Sequence, residues 1–173
     1  MKTMKKILAL ALAGVMALAL LTGCGTGGSA SHKSIAKAME DYANGHSPTK
    51  TITCTSSAVL DAMLQEQAKK PGFEDVVRAV YTDDTTSLPT IPSGSVLSGK
   101  VVYLYCGKYD KDAGKQAINL NAWGHYTCIS GTNNSTLADK CDIGLITTSF
   151  TDDTTHKKVK VRFAVVVSEI PKP

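Results

Sequence analysis

The residue types able to do chemistry in this chain are two histidines, a set of cysteines and two pairs of aspartates. His46 lies in Asn44-Gly45-His46-Ser47 and His125 in Trp123-Gly124-His125-Tyr126-Thr127. An imidazole can ligate a metal or exchange a proton near neutral pH. Taken singly, His46 reads as a turn residue and His125 as a half-exposed strand residue beside Trp123. Cys54, Cys106, Cys128 and Cys141 form an even set, open to two disulfides in any of three connectivities. The short, loop-like segment between Cys128 and Cys141 favours that pair and leaves Cys54 with Cys106; free thiols packed in a core are the alternative. Thr82-Asp83-Asp84-Thr85-Thr86 recurs as Thr151-Asp152-Asp153-Thr154-Thr155. Paired carboxylates can bind calcium or divide acid and base roles, yet each copy follows an aromatic, Tyr81 or Phe150, and reads as a polar turn closing an apolar element.

Other constellations fall short of a site. Gly94 to Gly99-Lys100 imitates a phosphate-binding loop, but Val101 stands where Ser or Thr would meet magnesium, and a strand follows where a helix N-terminus is needed. Asp110-Lys111-Asp112-Ala113-Gly114 hints at a calcium loop but lacks the later acidic ligands, and reads as a turn. There is no Gly-x-Ser-x-Gly elbow, no Cys-x-x-Cys and no Cys/His pair at zinc spacing. No complete catalytic set emerges, which points to a binding protein rather than an enzyme.

The elements that must position these residues divide into helices first and strands after. Ile35, Met39, Tyr42 and Ala43 recur at helical spacing after Ser31 or Ser34, and Asn44-Gly45 suits a helix end. Thr51 to Cys54 is a short strand candidate. Ser56 or Ser57 can cap a second helix with Val59, Leu60, Met63, Leu64 and Ala68 inward, stopped by Pro71-Gly72. Phe73 to Tyr81 is a third helix or a strand, since its valines permit both. After the Ser/Thr/Pro/Gly stretch Asp83 to Gly99, strands are expected at Val101–Cys106, Ala117–Ile129, Ile143–Phe150 and Val159–Val167. In the last, Val159, Val161 and Phe163 alternate with Lys158, Lys160 and Arg162 before the all-apolar Ala164–Val167, so its first half should face water on one side and its second half be covered on both. The expected fold is therefore α+β: two or three N-terminal helices followed by an antiparallel sheet of about four strands. On the second of these strands Trp123, His125 and Tyr126 are the candidate ligand surface, because aromatics on a sheet offer contact area to sugars or peptides.

Gly124-His125-Tyr126-Thr127 resembles the Gly-His-Tyr/Phe-Thr signature of the CAP superfamily of cysteine-rich secretory, antigen 5 and pathogenesis-related proteins. Asn44-Gly45-His46-Ser47 is similar to the end of that family's first helix and its first histidine. The resemblance implies that His46 and His125 face one another across a cleft, with a divalent metal as cofactor. The family's Gly-Glu-Asn-Ile stretch has no counterpart, the nearest region reading Tyr103-Leu104-Tyr105-Cys106-Gly107.

At the N-terminus Lys2, Lys5 and Lys6 precede an apolar run from Ile7 to Leu20, shorter than the ~20 residues of a membrane-spanning helix. Leu21-Thr22-Gly23-Cys24 resembles the lipobox of bacterial lipoproteins. That resemblance implies a signal peptide over residues 1–23, lipidation of Cys24, and a tether over 24–31 leading to one extracytoplasmic α+β domain at 32–173. The partner so implied is the membrane, through the lipid on Cys24, at the outer face of the bacterial cytoplasmic membrane. Without the three leader lysines the basic residues fall from 19 to 16 against 15 acids, leaving a charge near +1 rather than +4. No basic cluster survives to bind nucleic acid. The ligand expected is a cell-wall component, a peptide or a protein, with no cofactor outside the two-histidine reading.

Overall fold

A computed structural model describes residues 29–47, 51–84, 86, 88, 95–121, 125–130 and 137–170, with 125–128 and 130 described by their backbone alone. The leader, Cys24, Trp123 and the polar loop 131–136 lie outside the described residues. The elements run α1 (His32–His46), β1 (Thr53–Ser56), α2 (Ala58–Ala68), α3 (Phe73–Tyr81), β2 (Lys100–Lys108), α4 (Ala113–Asn121), β3 (His125–Ser130), β4 (Lys140–Thr151) and β5 (Lys158–Glu169). The fold is α+β. One five-stranded sheet has the order β1-β4-β5-β2-β3. Strands β4, β5, β2 and β3 form the expected four-stranded antiparallel sheet, and β1 adds an edge strand parallel to β4, which makes the sheet mixed.

Helices cover both faces, and the alternation of β5 shows why. Val161, Phe163, Val165 and Val167 point to one core with Leu60, Met63 and Leu64 of α2 and Phe73, Val77 and Val80 of α3. Ala164 and Val166 point to the other, with Ile35, Ala36 and Met39 of α1 and Ala117 and Leu120 of α4. A strand buried on both faces needs apolar residues at every position, and β5 from Phe163 to Val167 is apolar and buried throughout. Two glycines set the layer spacing. A Cβ on Gly144 would lie 2.4 Å from Leu60 Cβ, and one on Gly107 would lie 2.3 Å from the carbonyl oxygen of Asn119 on α4.

Ser31 and Ser57 cap α1 and α2, their side chains accepting from the N–H groups of Ser34 and Leu60. α3 spans the residues of the third apolar segment as a helix rather than a strand. In α2 the exposed positions include Val59 and Ala68, and Gln67 takes the expected place of Ala68 in the buried set. α1 runs through Gly45 instead of ending at Asn44-Gly45; the Asn44 side chain accepts from Ile52 N and donates to Ile52 O, so it steers the approach to β1.

The largest departure from expectation is α4, where period-two counting predicts a strand over Ala117–Ile129. The buried residues are Gln116, Ala117 and Leu120, a helical spacing, while Ile118 is turned to solvent. Gln116, fully buried, accepts from Asp110 N and donates to Lys108 O, so a polar residue fills an inward position. Asp112 accepts from Lys115 N at the start of this helix, and Asp110 accepts from Asp112 N. The Asp110–Gly114 segment is thus the cap of a helix, and its carboxylates serve the backbone. The strand begins only at His125.

Candidate functional site

The structure separates the two histidines. His46 ends α1, exposed, stacked on Tyr42 with ring centroids 4.1 Å apart, and its Nδ1 lies 2.7 Å from the Tyr42 carbonyl. The Asn44–Ile52 bonds fix that helix end beside β1. His125 opens β3, opposite Cys106 of β2, at the other edge of the sheet. Four strand spacings lie between the two edges, roughly 19 Å. Their levels along the sheet differ as well: β1 opens opposite Lys140, whereas Cys106 is level through Phe163 with Ile146. His46 and His125 therefore do not share a cleft, because α1 ends beside β1, at the edge of the sheet opposite β3. Among the described residues no group of three or more histidine, cysteine or acidic side chains is assembled to hold a metal.

The cysteines also pair differently from expectation. Cys54 and Cys141 are directly opposed on β1 and β4, their Sγ atoms 3.1 Å apart. Cys106 is buried on β2, and burial pushes its thiol pKa up. The backbone of Cys128 stands opposite Tyr103 on β3, three strand spacings from β4, so neither Cys128–Cys141 nor Cys54–Cys106 is within bonding reach. A parallel contact between segments 87 residues apart overrides the preference for a short ring.

The two Thr-Asp-Asp-Thr-Thr copies, unrelated in their flanks, do come together. Tyr81 and Phe150, the aromatics before them, pack with ring centroids 5.0 Å apart. Beside them opens a groove of about 460 Å³ whose polar lining includes Asp75, Arg78, Asp84, Asp152 and Asp153. α3 is locked to the end of β4 by a two-sided clamp on Thr151: Glu74 Oε1 accepts from its N–H at 2.6 Å, and Arg78 Nε donates to its carbonyl at 3.2 Å. Arg78 also reaches Asp75 at 3.2 Å and Asp153 at 3.6 Å. The remaining carboxylates largely close their own turns. Asp84 Oδ1 accepts from Thr86 N and Oγ1, and Asp152 Oδ1 accepts from the N–H groups of Thr154 and Thr155 and from Thr155 Oγ1. The groove is acidic on balance and disfavours an anionic ligand; Asp75 and Asp153 meet Arg78, and Asp84 and Asp152 bond the turns they close.

Those bonds have a measurable signature. The Thr151 N–H holds Glu74 below the usual carboxylate range, the Thr155 N–H does the same for Asp152, and Lys37 together with the Cys54 N–H does so for Glu40. A depressed folded-state value means that the unfolded chain takes up protons first. The stability these groups confer is complete above their ordinary values of 4.5 and 3.8, and is lost as pH falls through the lower folded ones. The urea midpoint is expected to fall between about pH 5 and about pH 3. Glu74→Gln should shrink that fall, and an unchanged pH profile in this variant would remove Glu74 from the account.

Sequence reasoning missed two polar anchors. Arg162, expected on the watery face of the first half of β5, is only 3% exposed. Its Nη2 donates to Ser29 Oγ at 3.0 Å and to the Ala30 carbonyl at 3.4 Å, and its guanidinium lies 5.3 Å from the Tyr109 ring centroid. Tyr109 Oη donates to the same serine, and Ala30 N donates to the Lys111 carbonyl. The available signal was that Arg162 shares a face with Ala164 and Val166. Asp61 of α2 accepts from Leu145 N at 2.7 Å through one carboxylate oxygen and meets His32 Nδ1 of α1 at 2.7 Å through the other. It joins the helices of both layers around the edge of β4, and nothing in its local sequence announces that.

Of the candidate ligand surface, His125 and Tyr126 belong to β3, the outer strand next to β2, and Trp123 precedes it outside the described residues. Among the described residues no helix is long and apolar enough to cross a membrane. Comparison of the chain with protein-family models, with curated proteins and with solved structures finds no match.

Proposed function

We propose that the chain is a lipid-anchored extracytoplasmic binding module, held by a lipid on Cys24 at the outer face of the bacterial cytoplasmic membrane. The observation that carries the reading is Leu21-Thr22-Gly23-Cys24 placed directly after a basic start and a short apolar run. The docking of Ser29 and Ala30 on Arg162, Tyr109 and Lys111 supports it, because the domain begins to be held five residues after Cys24. That stretch spans at most about 18 Å when fully extended. The anchor then keeps the domain close to the bilayer, with the end carrying Tyr109 and the start of β5 turned towards it.

The test of the anchor is metabolic labelling with an alkyne-bearing fatty acid, followed by membrane fractionation. The full chain should carry the label and sediment with membranes, and Cys24→Ser should lose both. A Cys24→Ser protein that is still labelled ends the lipoprotein reading.

The ligand surface proposed is Trp123 with His125 and Tyr126 on the outer strand. Its probe is purified cell-wall peptidoglycan in a co-sedimentation assay. Trp123→Ala should lower retention about tenfold, the loss of roughly 1.4 kcal/mol of aromatic contact. Equal retention of wild type and Trp123→Ala would show that the surface lies elsewhere.

A further inference from the structure

Cys54 and Cys141 occupy one rung of the only parallel strand pair in the described sheet. β1 is an edge strand of four residues, and beyond its pairing with β4 and the packing of Cys54 against the core under α1 and α4 it is tied by hydrogen bonds that include Thr53 N to the Asp139 carbonyl and Cys54 N to Glu40 Oε2. We propose that the pair is a modification site, at which an external oxidant closes a Cys54–Cys141 disulfide that fastens β1 to β4 in the exported protein.

The geometry is close to that of the bond. Neighbouring strands lie about 4.8 Å apart, so directly opposed Cα atoms fall inside the ~4.4–6.8 Å range of disulfides. The sulfurs, 3.1 Å apart as thiols, must approach by about 1 Å, a small side-chain rotation. Competing partners are excluded by the fold. Cys106 belongs to the core under α2 and α3, whereas Cys141 belongs to the core under α1 and α4. Cys128 lies three strand spacings from β4, roughly 14 Å.

The oxidant is a disulfide-bonded thiol compound or oxidoreductase, and the exchange balances in two steps. The hydrogen bond between the two sulfurs raises the pKa of Cys54 and lowers that of Cys141, but Cys54 is the half-exposed sulfur that an oxidant can reach. On loss of its proton it attacks the oxidant; its sulfur forms a mixed disulfide and one oxidant thiolate leaves. Cys141, buried beside it, then attacks the Cys54 sulfur as thiolate and displaces the second. The protein loses two electrons and its two thiol protons. The oxidant gains the electrons, and its two leaving thiolates take up two protons. A bond across 87 residues restricts the unfolded chain strongly and also pins an edge that would otherwise be open to fraying.

The test uses the full chain in detergent, treated with oxidised glutathione, blocked with iodoacetamide and digested with trypsin without reduction. Each of the four cysteines falls in its own tryptic peptide, Cys54 in 51–69, Cys106 in 101–108, Cys128 in 116–140 and Cys141 in 141–157. The expected product joins 51–69 to 141–157 with the loss of two hydrogens, while 101–108 is recovered alkylated. The oxidised protein should melt about 10 °C above the reduced one, a difference that Cys141→Ser abolishes. Recovery of 51–69 and 141–157 as separate alkylated peptides, or either joined to another partner, overturns the pairing. A bond that forms without raising the melting temperature overturns its role as a fastening. The setting rests on the exported reading above and is checked separately by alkylating acid-quenched cells. Free thiols there, with the bond formed in vitro, overturn the setting and leave the pairing standing.

Discussion

Gly144→Ala is expected to lower the melting temperature by about 10 °C, corresponding to a loss of roughly 3 kcal/mol. The added methyl would sit 2.4 Å from Leu60 Cβ and 2.7 Å from the Leu60 carbonyl carbon, so the obstacle includes backbone and cannot rotate away. α2 cannot retreat cheaply either. Its N-terminal turn is tied on one side by Ser57 N to the Ile143 carbonyl and on the other by Asp61 to Leu145 N. These bonds flank Gly144 on the same strand, so moving the helix breaks them. Gly107→Ala meets the same obstacle against α4, where the new atom would lie 2.3 Å from the Asn119 carbonyl oxygen. Gly45→Ala is the control. It lies within α1 with nothing within 4 Å of the added carbon, and should stabilise slightly because alanine favours a helix. Thermal unfolding of the three variants side by side checks the account; a Gly144→Ala protein melting with wild type would mean that α2 does not rest on this strand.

Asp61→Ala should cost about 3 kcal/mol, measured as a lower urea midpoint at unchanged slope. The substitution leaves the Leu145 N–H without its acceptor at a fully buried residue, just where β1 stops and β4 has no strand neighbour on that side. It also removes the partner of His32 and with it a side-chain hydrogen bond between α1 and α2. Asp61→Asn keeps an oxygen for Leu145 N and an amide for His32, so it should lose less than half as much. Equal losses in the two variants would assign the effect to the negative charge rather than to the hydrogen bonds.

The first two helices were legible because apolar spacing, serine caps and Pro71-Gly72 agree with one another there, whereas the valines of Phe73–Tyr81 suit a helix and a strand equally and only packing decides for α3. β5 was legible from alternation alone, and so was its passage from one covered face to two. The α4 segment was not, because Ile118, Leu120 and Ala122 mimic a period of two while the residue that anchors the helix inward is a glutamine. Apolar counting cannot register a side chain buried for its hydrogen bonds. The same limit hid Arg162 and Asp61, whose partners lie in segments distant in sequence. The cysteine pairing depended on which strands become neighbours, and a parallel contact between β1 and β4 leaves no local trace. Recurring turns were visible as a repeat, but that they meet at one end follows only from the packing of α3 on the β4 terminus.

The hold of Arg162 on Ser29 and Ala30 has a mechanical meaning. Any pull on the chain ahead of Ser29 reaches the guanidinium and the Tyr109 hydroxyl before it reaches α1. Arg162 stands on β5, which is bonded to β4 on one side and β2 on the other, so the tension enters at the centre of the sheet. The helix that follows is bypassed, and its first turn need not unwind under load. A domain tugged from its leading end in this way behaves as a rivet set through its stiffest plate.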